Sequence, residues 1–249
     1  MEWQGQGILI ACRPHGEHAA ILEVLTPGHG RHAGLLRGGQ SRRMSPVLQP
    51  GNLLALSWRA RLDHHMGAFT AELERDRAGR LMNDRRTLAG LAAVTGLLAY
   101  ALPERMHLPG IYERTAELLD VMPLTPAWTL AYLRWELALL EALGYGLELD
   151  RCAVRGTNEE LCFVSPRTGR AVSRQAAGEW ADRLLPLPDC LKGQGPAPDG
   201  EIALALSTTG HFLKKHVPPQ WSGQPFPASR SRLVDLLKRG PHSAGAETR

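Results

Sequence analysis

Lysine is scarce in this chain, no two cysteines stand close together, and one long stretch has no acids at all. Lysine occurs only at positions 192, 214, 215 and 238, so the net charge of +4 is carried by arginine. Arginine presents a planar fork that suits phosphate. Its excess over lysine can also reflect the base composition of a genome, which leaves the missing acids unexplained. Cys12, Cys152, Cys162 and Cys190 are scattered, with no C-x-x-C pair, and reduced thiols in the cytoplasm are expected. No apolar run approaches the roughly 18 residues of a membrane span. The opening residues MEWQGQGILIACRPHGEH lack a long apolar core and a basic start, so no signal peptide is expected.

Motifs of catalysis are missing too. There is no G-x-S-x-G, H-E-x-x-H or G-x-x-x-x-G-K-[ST], which removes the local signatures of a serine hydrolase, a zinc protease and a P-loop. A dispersed triad leaves no such trace, but nothing argues for one. Glu72, Glu74 and Asp76 alternate with Arg75 and Arg77 and read as a solvated strand end. No catalytic residue and no cofactor are expected.

Against these absences one feature stands out. From Val24 to Leu62 the chain has six arginines, at 31, 37, 42, 43, 59 and 61, and no Asp or Glu. The stretch also holds strand-like apolar runs, so it reads as a folded module with a positive face rather than a basic tail. Such a face attracts polyanions, nucleic acid first among them. The overall pI of about 9.1 is moderate, so the binding surface must be local.

Short apolar runs at Gly7–Ala11, Ala19–Thr26, Arg31–Leu36, Leu53–Ala60 and Phe69–Glu74, punctuated by Gly and Pro, predict a small five-stranded barrel. The period then changes. Helices are expected over Arg85–Ala101, Ile111–Val121, a third opened by Thr125 and Pro126 and closed by Gly144, Gln175–Leu185, Glu201–His216 and Ser229–Arg239. Asp150–Ser173 reads as polar loop, Pro186–Gly200 as a linker, and the tail after Gly240 as disordered.

Within the barrel, Arg37-Gly-Gly-Gln-Ser-Arg42-Arg43 sets three guanidinium groups beside flexible glycines, with Ser41 as a further donor. Arg59 and Arg61 alternate on the following strand and share a face opposite Trp58. The candidate DNA contacts are therefore Arg31, Arg37, Arg42, Arg43, Arg59 and Arg61. With only Trp3, Trp58 and Phe69 to stack on, phosphate tracking is favoured over base reading. Gly28-His-Gly-Arg-His-Ala33 fits G-x-G-x-x-A, but Gly34, Gly38 and Gly39 follow; a turn between strands is the expectation, not a dinucleotide site. Cys12, His15 and His18, with His29 and His32, have metal-like spacing across a Pro-Gly turn and are not expected to ligate. His64 and His65 read as exposed.

Several segments together resemble the RecO family of bacterial recombination mediators. They are Gly7-Ile-Leu-Ile10, Gly16-Glu17, Leu25-Thr26, Gly30-Arg31, Arg37-Gly38, Gln49-Pro-Gly51, Ala101-Leu-Pro-Glu104, the run Trp135–Gly146, Leu149–Val154, Phe212–His216 and Ser229–Leu233. The resemblance spans most of the chain, and order and spacing make it specific. It implies an α+β multidomain protein: an OB-fold over residues 1–79 and a helical domain over 80–249, interrupted at 150–176 by a small zinc-finger-like insertion. It implies binding of single- and double-stranded DNA, strand annealing, partnership with RecR, and loading of RecA onto DNA coated by single-stranded DNA-binding protein. The acidic C-terminal tail of that coating protein docks on the helical domain of relatives, and Arg114, Tyr132 and Arg134 are candidates for that site here. Many relatives carry two C-x-x-C pairs in the insertion, a tetrahedral zinc set. Here the pairs read Cys152-Ala-Val-Arg155 and Ser173-Arg-Gln-Ala176, and Cys162 is at the wrong spacing. Hairpin shape without metal is expected. The competing classes are an RNA-binding protein or a nuclease-type OB-fold protein.

Overall fold

The alternating residues of the first 75 positions close into a barrel. The computed structural model of the chain describes residues 1–62, 64–217 and 225–240. Its first strands are β1 (Glu2–His15), β2 (Ala19–Thr26), β3 (Gly30–Leu36), β4 (Leu53–Arg59) and β5 (Ala68–Arg75), in the closed order β1-β2-β3-β5-β4. That is the strand order of an OB-fold. β1 is longer than its apolar run because it serves two partners. Its first half pairs with β4 and its second half with β2, and a bulge between Leu9 and Ala11 turns it from one to the other. Alternation sorts the faces: Leu54, Leu56 and Trp58 of β4 point into the core with Leu9, Leu22, Val24 and Phe69, while Ala55 and Arg59 face solvent.

The Gly28–Ala33 segment is the β2–β3 turn and the start of β3, so no helix follows it to aim amides at a pyrophosphate. His64 and His65 lie exposed in the β4–β5 loop. Helices α1 (Ala78–Leu81), α2 (Arg85–Ala101) and α3 (Ile111–Val121) follow. Asp84 caps α2 by accepting from the Thr87 amide at 2.9 Å. The helix stops before Pro103, whose ring disfavours a helical preceding residue. By contact density the chain forms two compact units, the first mainly Met1–Thr125 and the second mainly Pro126–Pro218. The first therefore runs past residue 79 to include α1–α3.

In the second unit, α4 (Trp128–Ala142) starts after Ala127 with no side-chain cap; Thr125 is not its N-cap. Its end is as expected: the Gly144 and Tyr145 amides donate to Glu141 and Leu140 carbonyls at 2.9 and 2.8 Å, a Schellman closure. α4 packs on α6 (Asp199–His216), where Thr209 donates to the fully buried Glu136 at 2.5 Å. The helix expected over Gln175–Leu185 is only α5 (Arg174–Ala177). Gly178 leaves the helical region there, and a 3-10 turn over Gly178–Arg183 leads into β8 (Leu185–Pro186). β8 pairs with β6 (Leu161–Val164), which also pairs with β7 (Ala171–Ser173). Part of the expected loop at 150–173 is thus a hairpin, and part of the expected linker is folded, with Leu187, Cys190 and Leu191 buried. The last helix is α7 (Ala228–Arg239). The tail after Gly240 lies outside the described residues.

Candidate nucleic-acid interface

The β3–β4 connection is a chain of turns that holds its arginines outward. Three neutral devices anchor it. Gln40 donates from its amide to the Gly16 and Ala19 carbonyls, each at 2.8 Å, tying the connection to the β1–β2 turn. Met44, Val47 and Leu48 pack on the barrel core. Asn52, fully buried, donates to the Pro46 and Val47 carbonyls at 3.1 Å and accepts the Arg77 and Ala78 amides at 3.1 and 3.0 Å. One side chain so joins the connection, the start of β4 and α1. With the apolar positions turned in, Arg37, Arg42 and Arg43 are all exposed. None of the three has an ion-pair partner among the described residues. Uncompensated cations on an ordered loop are what a phosphate backbone engages.

The other three candidates are placed differently. Arg31 is only 14% exposed; its guanidinium donates to Glu23 and to the Ala99 carbonyl, each at 2.9 Å. It is a structural tie between β3, β2 and α2, not a surface cation. The acid that neutralises it stands one residue before the acid-free stretch begins, and Arg13 reaches the same carboxylate at 2.5 Å. Arg59 is exposed but paired with Glu2 at 3.0 Å, and that pair holds its proton more tightly still. A pair so open to water is weak and can be exchanged for phosphate. β4 ends at Arg59, so Arg61 does not share its strand face; it lies exposed in the β4–β5 loop.

The barrel also has a cleft of about 550 Å³ that the arginine pattern did not reveal. Its walls come from the start of β1, the β2–β3 turn, the end of β4, the β4–β5 loop and the segment after α2, and include Trp3, His29, His32, Trp58, His64 and Arg105. Trp58, Trp3 and His29 form a ladder of near-parallel rings: Trp58 and Trp3 are 6.1 Å apart at 20°, Trp3 and His29 4.5 Å apart at 21°. His32 meets Trp58 edge-on, and the Arg105 guanidinium lies 5.6 Å over the Trp58 ring. Two glycines allow this packing. Gly67, at φ +70°, would put a Cβ 2.5 Å from the Trp58 ring, and Gly30, at φ +61°, would put one 1.9 Å from the Met106 carbonyl oxygen. The two tryptophans were visible in the sequence as isolated aromatics. Their gathering with two histidines was not, because those residues are far apart in the chain.

The candidate partner site is split by burial. Arg114 on α3 and Arg134 on α4 are exposed, whereas Tyr132 is fully buried and stacks on Trp135 at 5.8 Å. Since α4 is apolar on more than one face, Tyr132 falls inside and cannot wall a surface pocket. In the 150–176 insertion the positions that match zinc ligands are brought together by hydrogen bonds. The Ser173 amide donates to the Cys152 sulfur at 3.4 Å, the Ala176 amide to the Ser173 hydroxyl at 3.3 Å, and Arg155 to Gln175. Burial pushes the Cys152 thiol up, but hydrogen bonds from Ser173 and the Arg155 and Val154 amides outweigh it and bring it to about 7. Cys162 is half-buried, and burial pushes its thiol up. At the other early candidate, His15 and His18 are exposed while Cys12 turns toward a second cleft beside the β3–β4 connection. Among the described residues no three His, Cys, Asp or Glu side chains gather where they could hold a metal.

Comparison with known proteins agrees along the length of the chain. The family model for the N-terminal part of recombination protein O matches residues 1–75, and that for its C-terminal part matches residues 82–223. The DNA repair protein RecO of Ruegeria sp. (strain TM1040) is 54% identical over 239 residues, 96% of this chain and 99% of that protein. That of Cereibacter sphaeroides (strain ATCC 17025) is 55% identical over 240 residues, 96% and 100% of the two chains. That of Dinoroseobacter shibae is 51% identical over 239 residues, 96% and 99%.

Proposed function

The chain belongs to the RecO family of DNA repair proteins, and on that footing we propose that it is a non-enzymatic recombination mediator in the cytoplasm. It binds single- and double-stranded DNA, anneals complementary strands and, with RecR, helps load RecA onto DNA coated by single-stranded DNA-binding protein. The observation that carries this reading is the β3–β4 connection, where Arg37, Arg42 and Arg43 are exposed and unpaired among the described residues on an anchored loop. Two strands repel each other through their phosphates. An array of fixed guanidinium groups releases condensed counterions from each and lowers that repulsion without reading sequence. Arg61, and Arg59 on exchange of its Glu2 partner, extend the array. Arg114 in the first unit and Arg134 in the second are each an exposed basic group suited to the acidic tail of the coating protein.

The test is annealing of complementary strands coated with single-stranded DNA-binding protein, with and without this chain, in the presence of magnesium. Faster duplex formation with both strands intact is expected, and loss of that acceleration in the Arg42→Glu, Arg43→Glu double variant. No acceleration by the wild-type chain, or the appearance of cleaved strands, would overturn the reading.

A further inference from the structure

The ring ladder Trp58–Trp3–His29 ends in a side chain that is exposed to solvent. Trp58 is buried in the barrel core and fixed by its indole N–H, which donates to the Met66 carbonyl at 2.9 Å. Trp3 is half-buried and lies over it, and His29, on the β2–β3 turn, lies over Trp3 and is exposed. The turn carrying His29 is pinned by the Thr26 hydroxyl, which accepts the His29 amide at 3.0 Å and donates to the Gly30 carbonyl at 3.2 Å. A stack of flat rings, rigid at its base and open at its top, is a platform for one more flat ring.

The rim adds charge of the right sign. Arg105 stands in the wall, where its Nη2 donates to the His65 carbonyl at 2.6 Å and its Nε forms an ion pair with Glu104 at 3.7 Å. The acid among the lining residues, Glu2, faces Arg59 at 3.0 Å, so an arginine stands beside it as well. An aromatic platform beside an arginine, in a cleft large enough for a base, fits a nucleotide better than a peptide or a lipid chain.

We infer that this cleft receives an unpaired nucleobase of a DNA strand, stacked on His29 as the next rung of the ladder, with the adjoining phosphate facing Arg105. The inference rests on the DNA-binding reading above and deepens it: the arginine connection holds any backbone, whereas the cleft requires a base free of its complement. A paired base keeps both its faces inside the duplex and must be unstacked before it can enter. The cleft thereby gives a phosphate-tracking protein a preference for single strands.

The experiment compares binding of the full chain to an oligothymidine strand, a strand of abasic units of the same length, and a duplex. The wild-type chain should hold oligothymidine about tenfold more tightly than the abasic strand, the range expected of one stacked base. His29→Ala should remove that preference and leave duplex affinity unchanged. His29→Phe, which keeps a flat aromatic ring, should retain it. Matching thermal melts show that the variants fold. Equal binding of both strands by the wild-type chain, or a preference that survives His29→Ala, sinks the base cleft and leaves the phosphate reading intact. Failure to bind any of the three ligands overturns both.

Discussion

The arginines at and beyond the two ends of β3 treat charge in opposite ways. Arg31, just after the β2–β3 turn, is drawn into the fold, where Glu23 cancels it and the Ala99 carbonyl takes a further hydrogen bond. Arg37, Arg42 and Arg43, beyond the other end of the strand, are held out by an anchor set that contains no charge: Gln40, Asn52 and the apolar Met44, Val47 and Leu48. The same residue type therefore serves stability at one site and leaves charge available at the other. What separates them is whether a carboxylate lies within reach across a strand. Neutral anchors matter because an acidic one would cancel the surplus charge that the loop presents.

That contrast can be broken at its strongest point by Asn52→Ala. It removes four hydrogen bonds and leaves the Arg77 and Ala78 amides buried without a partner, so a loss of about 2–4 kcal/mol in chemical denaturation is expected. Reversing two of the outward charges in Arg42→Glu, Arg43→Glu should instead spare stability. It should weaken DNA binding by about one to two orders of magnitude and make log K against log salt shallower by about 1.5; an unchanged slope would remove these residues from the interface. Arg31→Gln should behave in the reverse manner. Glu23, only 7% exposed, loses one of its two cations, which should cost about 1–2 kcal/mol of stability, with the salt slope of DNA binding unaltered. If that slope falls as well, Arg31 contacts DNA and the contrast fails.

The smallest effect is expected at a second inward-turned arginine. Arg77, 5% exposed, donates to Asp120 at 2.7 and 2.9 Å, and Arg75 joins at 3.0 Å. Hydrogen bonding from Arg77 holds the Asp120 carboxyl below its ordinary 3.8 against the opposing effect of burial. A lowered carboxyl adds stability above its unfolded pKa and loses it as pH falls through the folded one. Asp120→Asn should therefore be less stable than wild type at neutral pH, by less than about 1 kcal/mol since Asp120 is 40% exposed. The gap should close below pH 3.8. A difference that persists in acid would mean that the ion pair is not its source.

Strands and long helices were legible because their signals are local. Short apolar runs marked β2 and β3, and alternation β5, within a residue of their ends, and Pro103 and Pro123 stand just after α2 and α3. Errors fell where pairing partners decide the outcome. β1 extends well beyond its apolar run at both ends because β4 pairs with its polar start and β2 with its polar end, and Gln175–Leu185 gives up most of its helix where the chain breaks at Gly178 and β8 goes on to pair with β6. At the interface the sequence showed which arginines exist and that no acid intervenes. It could not show that Glu23, next to that stretch, and Glu2, near the start of the chain, come back across neighbouring strands to meet Arg31 and Arg59.

Residue types and short-range periodicity alone were enough for the barrel, the main helices and the positive charge, and the order and spacing of matching segments carried the family resemblance. Tertiary structure alone decided which of the six arginines meet an acid among the described residues, that Tyr132 is interior, and that Trp3, His29 and Trp58 share one cleft. These depend on distances between residues far apart in the chain. Closing the barrel sets those distances, because strand register brings each residue opposite a partner that its sequence neighbours do not reveal.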